Sequence, residues 1–305
     1  MVLKKGSRGS DVSQLQKALN ALGYHCGTAD GILGRATVHQ IENFQENSRL
    51  FADGVVGKGT IHALNEALKD SGNSSLCFDI GDDVDPKMPS ERMKWVKVPA
   101  DQVDGSKGYS RFTLREDAAK AYLDLREEVL ELGGVITSAG GRRRLSSSKK
   151  SASRSTKSMH YVGLAFDMAL DSGMGHNPSK QPYAIESVGS RNWNVWCKTE
   201  NESVPEVTIQ AYKYSHTKSI VKGRYFSFTD VAKKHGFSPI SARRWFMNGG
   251  KYTGAEWWHF QYNNALKEGQ STFGEELLKV YSLEECKEFI HWNNSKMCTF
   301  GVDWF

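Results

Sequence analysis

The sequence predicts a two-domain α+β protein, with a short all-helical module at the N-terminus and a larger domain of helix and antiparallel sheet behind it. Three observations lead there. A glycine-containing turn motif occurs twice within residues 1–70, each copy running into a helical pattern. Residues 71–107 carry turn formers and little periodicity. Beyond them, helical spacing gives way to short strand-like runs. A chain of 305 residues exceeds the roughly 100–200 of one domain. The expected divisions are 1–70, a linker and lead-in at 71–107, and 108–305.

In the first domain, Val12, Leu15, Leu19 and Leu22 share one helical face, and the pattern stops near Gly23. The segment Asp30-Gly-Ile-Leu-Gly-Arg-Ala-Thr-Val-His-Gln-Ile then returns as Asp53-Gly-Val-Val-Gly-Lys-Gly-Thr-Ile-His-Ala-Leu. In each copy Asp-Gly-x-x-Gly is turn chemistry. Thr37 and Thr60 are expected to cap helices whose apolar positions are Val38, Ile41, Phe44 and Ile61, Leu64, Leu68. The leading Gly6-Ser-Arg-Gly-Ser-Asp-Val, the two Asp-Gly-x-x-Gly units and Phe44-Gln45 resemble the peptidoglycan-binding domain of cell-wall hydrolases. The resemblance implies a three-helix wall-binding module, with peptidoglycan as partner and Asp30 and Asp53 among the substrate-binding residues.

In the second domain, Thr113-Leu-Arg-Glu116 fits a capping box. The helix behind it carries Ala118, Tyr122, Leu125, Val129 and Leu132, and Gly133-Gly134 ends it. Val135-Ile136-Thr137 reads as a short strand delivering Ser138-Ala-Gly-Gly-Arg142 to its end. The chemistry concentrates in Ser158-Met-His160-Tyr-Val-Gly163-Leu-Ala165-Phe-Asp167 and Glu256-Trp-Trp-His259-Phe-Gln-Tyr. His160 and Asp167 lie roughly 10 Å apart on a helix and over about 20 Å apart fully extended, so both meet one ion only if the chain turns between them. Gly163 supplies that turn. Gly163, Ala165 and Asp167 then alternate onto one strand face, with Leu164, Phe166 and Met168 on the other. Glu256 and His259, three apart, face opposite ways on a regular strand, so Glu256 is expected on the preceding loop or at a bulge. Two histidines and a carboxylate make a three-ligand zinc set that leaves room for water, with a nearby glutamate as base.

Together, Ser-x-His-x-x-Gly-x-Ala-x-Asp and Glu-x-Trp-His resemble the zinc D-alanyl-D-alanine peptidase superfamily, which includes D-Ala-D-Ala carboxypeptidases, dipeptidases and phage L-alanyl-D-glutamate endopeptidases. The resemblance implies a hedgehog/DD-peptidase-like fold, zinc held by His160, Asp167 and His259, and Glu256 as catalytic acid/base. Arg142, in Ser138-Ala-Gly-Gly-Arg-Arg-Arg144, best fits the family's arginine that polarises or anchors the substrate, with Arg143 the alternative, so the resemblance implies Arg142 as both a catalytic and a substrate-binding residue, and Ser158 as substrate-binding. The family's glutamine downstream of that arginine has no clear counterpart here, which speaks against exopeptidase action.

Composition narrows the classes further. With 39% hydrophobic and 25% charged residues, and no apolar run near the roughly 20 needed to cross a bilayer, the chain reads as globular with no membrane span. Its opening residues lack the apolar core of a secretory signal. A wall-binding module without that signal suggests a phage endolysin released through a holin, or a virion-associated lysin. Cys26, Cys77, Cys197, Cys286 and Cys298 form no Cys-x-x-Cys pair and are expected to be mostly reduced thiols. The net charge of +5 gives no long basic stripe. Residues 230–246 superficially read as helix-turn-helix around Gly236, with Arg243 and Arg244 on the second helix. Their place between the two metal motifs favours a helix beside the active site, so no nucleic-acid partner is expected. The basic, serine-rich Arg142–Lys157 reads as a solvated loop, and His176, His216, His235 and His291 match no motif. The sequence therefore points to a monomeric zinc peptidase cutting stem-peptide amides of peptidoglycan, an endolysin-type endopeptidase acting on L-Ala-D-Glu or a similar bond. The alternatives are a D-Ala-D-Ala carboxypeptidase or dipeptidase, and a non-catalytic wall- or DNA-binding protein with a structural zinc.

Overall fold

The computed structural model describes residues 3–48, 50, 52–79, 91–104, 107–145, 158–266, 271 and 273–287. Most of the basic serine-rich run, His291 and Cys298 lie outside the described residues. The chain divides into two compact units, one of residues 1–92, 145–158 and 266–305 and the other of 93–144 and 159–265. This differs from the linear division read from the sequence. Residues 93–107 belong with the second unit, and 266–305, including helices α7 (Phe273–Leu278) and α8 (Leu283–Lys287), group with the first.

The N-terminal region is a three-helix module of α1 (Ser10–Ala21), α2 (Arg35–Asn47) and α3 (Lys58–Asp70). Val12, Leu15, Leu19, Ile41, Phe44, Ile61, Leu64 and Leu68 are buried together, and Leu22 and Val38 pack partly buried against them, as their spacing predicts. The expected threonine caps do not form. The N-caps are Gly34 and Gly57, and Thr37 and Thr60 sit buried one turn inside. There each hydroxyl receives a hydrogen bond from a buried glutamine, Gln16 Nε2 to Thr37 Oγ1 at 3.3 Å and Gln45 Nε2 to Thr60 Oγ1 at 3.2 Å.

These glutamines extend the repeat in a way the turn motif alone does not reveal. Gln16 Nε2 donates to Asp30 Oδ1 (2.9 Å) and Ile32 O (3.1 Å), while its Oε1 accepts from Gly31 N (2.9 Å). Gln45 does the same at Asp53 Oδ1 (3.0 Å), Val55 O (2.8 Å) and Gly54 N (2.9 Å). Each amide thus satisfies the buried polar groups of one turn, and Oδ1 of Asp30 and of Asp53 is committed to holding it. The positive φ of Gly31 (72°) and Gly54 (74°) is what these turns require, and a Cβ on Gly54 would meet Val38 Cγ1 at 2.7 Å.

The two aspartates differ electrostatically. Asp30 is exposed, and the Gln16 hydrogen bond lowers its pKa. Burial pushes Asp53 up to about 6 despite its hydrogen bonds from Val55 and Gln45. A carboxyl whose folded pKa is raised stabilises most below its unfolded value, and that contribution disappears as pH rises through about 6. We therefore predict that a fragment of residues 1–79 loses about 1–3 kcal/mol between pH 4 and pH 7.5, the range allowing for partial solvent access. Asp53→Asn, which keeps the acceptor, should flatten that slope. Chemical denaturation across this pH range checks it, and parallel slopes in both proteins would refute the assignment.

In the second unit, β1 (Trp95–Pro99) pairs antiparallel with β2 (Arg111–Arg115), so part of the expected lead-in is a strand. Thr113 lies within β2, and α4 (Glu116–Glu131) begins without a side-chain cap, so the expected capping box is absent. Glu116 instead accepts from Lys94 N at 3.1 Å. The helix does end at Gly133, whose φ is 70°. Val135–Thr137 joins no ladder. Ile136 N donates to Asp101 Oδ2 (2.8 Å) and Thr137 N to Tyr183 Oη (3.1 Å).

A three-stranded antiparallel sheet of order β3-β9-β8 comprises β3 (Ala165–Asp167), β8 (Phe237–Pro239) and β9 (His259–Tyr262). Between β3 and β8 the chain forms a closed barrel of order β4-β5-β7-β6 from β4 (Tyr183–Ser187), β5 (Trp193–Lys198), β6 (Glu206–Tyr212) and β7 (Lys218–Ser227). The alternate burial of Trp193, Val195 and Cys197 in β5 is a period-2 signal that was available in the sequence. Helix α5 (Phe228–Lys234) follows, capped by Ser227 Oγ accepting from Asp230 N, and leads through Gly236 (φ 81°) into β8. Helix α6 (Arg244–Met247) is a single turn. Residues 230–246 therefore run helix, strand, short helix, and the helix-turn-helix reading does not hold. Cys26, Cys77, Cys197 and Cys286 are free thiols, and burial pushes Cys197 up to about 12.

Candidate metal and catalytic site

The register of two short strands builds most of the site. In the β3–β9 pair Asp167 stands opposite His259, Phe166 opposite Phe260 and Ala165 opposite Gln261. Cross-strand partners share a face, so Asp167 and His259 come together while Phe166 and Phe260 turn to the core. Phe166 is fully buried, with ring centroids of Phe112, Tyr122, Phe237 and Phe260 at 4.9–5.8 Å of one another or of its own ring. The apolar face anchors the strand, and its other face presents the polar pair.

His160 arrives from a tight turn over residues 159–163, closed by Leu164 N donating to Met159 O (3.0 Å). Gly163 has φ 69°, and a Cβ there would lie 2.4 Å from the Trp95 ring and 2.8 Å from Arg115 N. Glycine is thus required both for its backbone angle and for the close approach of β1 and β2. Arg115 beneath the turn is buried and held by Asp117 through two hydrogen bonds of 2.7 and 2.8 Å.

The three donor atoms converge. His160 Nε2 lies 3.2 Å from His259 Nδ1 and 3.1 Å from Asp167 Oδ2, and His259 Nδ1 lies 2.9 Å from Asp167 Oδ1. Donors about 2.0–2.1 Å from a tetrahedral zinc would stand about 3.3 Å apart, so the triangle is close to that a zinc ion needs. His160 Nδ1 lies 2.7 Å from Gly141 O, so it carries the proton and leaves the Nε2 lone pair facing the other donors. Burial works to raise the Asp167 carboxyl, yet the charge and hydrogen bonds of His160 and His259 outweigh it and hold the group well below the usual carboxylate range. Burial likewise works to lower His259, but Asp167 and the nearby Glu256 raise it. The set accordingly prefers a cation at its centre, and a metal would compete there with a proton. The residues present fit zinc in donor type, number and spacing.

Glu256 lies on the loop before β9, as its spacing to His259 requires, with its carbonyl accepting from His259 N at 3.1 Å. Its φ of 56° is unusual for a residue with a side chain. Arg243 Nε donates to Glu256 Oε1 at 2.9 Å, leaving the glutamate side chain 15% exposed. Arg243 was legible only as a helix-turn-helix arginine, because no local spacing links it to the Glu-x-x-His stretch.

Arg142 stands between two residues whose backbones touch His160. Gly141 O receives His160, and Arg143 N donates to His160 O (2.9 Å), while the Arg142 guanidinium lies 4.0 Å from the Trp95 ring centroid. Ser158 is half-buried just before the His160 turn. Asp30 and Asp53 belong to the other unit and brace its turns.

Comparison with known proteins concerns the N-terminal region. Residues 8–64 match the family model described as a putative peptidoglycan binding domain. A solved structure described as the crystal structure of the SleB N-terminal domain is similar at 37% identity, over 22% of this chain and 92% of that chain, with a TM-score of 0.22. The three-helix region is therefore similar to a peptidoglycan-binding domain, which supports peptidoglycan as a partner and association with the cell wall. No described helix is long and apolar enough to cross a membrane.

Proposed function

We propose that this chain is a zinc-dependent peptidase that hydrolyses stem-peptide amide bonds of peptidoglycan as an endopeptidase. The observation that carries the reading is the convergence of His160, Asp167 and His259 on one point, with the ionisable Glu256 on the loop leading into His259. When bound, zinc would lower the pKa of a water and polarise the scissile carbonyl. The remaining steps belong to the chain. His160 is held in one tautomer by Gly141 O, and Asp167 stays ionised. Glu256, steadied at Oε1 by Arg243, accepts the water's proton and returns it to the leaving amine.

In this reading the helical module concentrates the enzyme at the wall without taking part in the chemistry. Residues 1–79 alone are expected to sediment with insoluble peptidoglycan without cutting it, and a chain lacking them should cut more slowly. Digestion of purified peptidoglycan, with product masses read out, tests both halves. Equal lysis by both chains and no sedimentation of the module would remove the targeting role, and an intact wall after treatment with zinc-loaded protein would remove the peptidase.

A further inference from the structure

Arg243 is fixed at its backbone on both sides. Its N–H donates to Gly254 O at 2.8 Å, its carbonyl accepts from Phe246 N at 3.0 Å, and Ala242 N donates to Arg191 O at 2.8 Å. The side chain issues from this clamp to Glu256 through Nε alone. Its terminal nitrogens make no other hydrogen bond to a described residue, and the side chain is 42% exposed where the glutamate is 15% exposed. A guanidinium offers five donors in a rigid fork, so one edge can hold a protein carboxylate while the other takes a second anion. Glu256 Oε2 likewise has no hydrogen bond to a described residue and stays available for a proton.

We propose that Arg243 is a positioning residue with two tasks: through Nε it aims the Glu256 carboxylate, and through its terminal N–H groups it binds a substrate carboxylate next to the scissile amide. The substrate class is then a peptide with a free carboxylate beside the bond cut. This rests on the peptidase reading above. An ammonium in place of the fork supplies one centre of charge, which cannot serve both anions with the same geometry.

The test uses full-length zinc-loaded protein and two synthetic peptides, L-alanyl-γ-D-glutamyl-L-lysine with the glutamyl α-carboxylate free and the same peptide as its α-carboxamide. Wild type should prefer the free acid about 10-fold or more in kcat/KM. Arg243→Ala should bring that ratio near one, mainly through KM of the acid, and should lower kcat on the carboxamide about 10- to 100-fold through misplacement of the base. Arg243→Lys should recover part of one effect only. A merely structural role would slow both peptides alike and leave their ratio unchanged, and that result, or the loss of only one effect in Arg243→Ala, overturns the proposal. Calorimetric binding of both peptides to metal-free protein separates the two readings. If wild type cuts neither peptide, the peptidase reading fails and the base-aiming task with it, while an acid preference in binding that Arg243→Ala abolishes upholds the carboxylate task alone.

Discussion

Replacing His259 with alanine is expected to reduce zinc from one per chain to near zero and to abolish wall-peptide cleavage. His259 Nδ1 meets both other members of the set, at 2.9 Å from Asp167 and 3.2 Å from His160, so its removal takes away one of three converging donors. Losing only the hydrogen-bond partner behind a metal ligand costs roughly 10- to 100-fold in affinity, so losing a ligand outright should cost more. The metal-free protein should also weaken, by about 1–3 kcal/mol, because Asp167 keeps its charge at 20% exposure with one imidazole fewer. The sign with pH follows from the two shifts. His259, raised above its ordinary value, stabilises the fold fully below about pH 6.5, and the contribution fades as pH rises through its folded value. Asp167, depressed, contributes above about pH 4 and loses its contribution on further acidification. The stability gap between wild type and variant should thus be widest between about pH 4 and 6.5 in metal-free protein. Metal analysis and denaturation of the same preparations check both parts, and unchanged zinc in the variant would overturn the ligand assignment.

The site was legible where chemistry coincided with strand period, and illegible where it depended on distant packing. Asp167 and Phe166 could be assigned to opposite faces because a strand alternates, and the register of β3 on β9 then places Asp167 opposite His259. Gly163 could be read as the turn because nothing else between His160 and Asp167 supplies a left-handed residue. Arg243 could not be found that way. Its link to Glu256 depends on α6 and the following loop folding back, a contact that leaves no periodicity in sequence. The helix starts failed for a different reason. Ser, Thr and Glu at suitable offsets describe a cap only when the chain leaves the strand region at the right residue, and β2 continues through Thr113 to Arg115, so α4 starts too late to use it. The roles of Gln16 and Gln45 leave no mark in the helical periodicity. Both are 1% exposed because each saturates the polar groups of a neighbouring turn, a role that pattern reading assigns to solvent.

Glu256→Gln is expected to retain zinc and a near-normal fold while losing about 10²- to 10⁴-fold in hydrolysis, equivalent to roughly 3–5 kcal/mol of barrier. Glutamine keeps the length of the side chain and an oxygen for Arg243 Nε, so the 2.9 Å contact that steadies the group survives in neutral form. The positive φ at this position is equally available to both residues, so backbone strain does not separate the variants. What the amide lacks is a lone pair able to take a proton at neutral pH, and activation of the water then falls to the metal alone. The same preparation distinguishes the competing roles of the two carboxylates. If Glu256 were a zinc ligand and Asp167 only its support, the variant would lose metal together with activity, since a neutral amide is a poor zinc ligand. Zinc kept with activity lost supports the base, zinc lost exchanges the two roles, and zinc kept with activity kept refutes the mechanism. The geometry favours the first result. Asp167 is the carboxylate whose two oxygens face the imidazole nitrogens at 2.9 and 3.1 Å, whereas the bond that orients Glu256 comes from an arginine, a partner that directs a carboxylate without competing for metal.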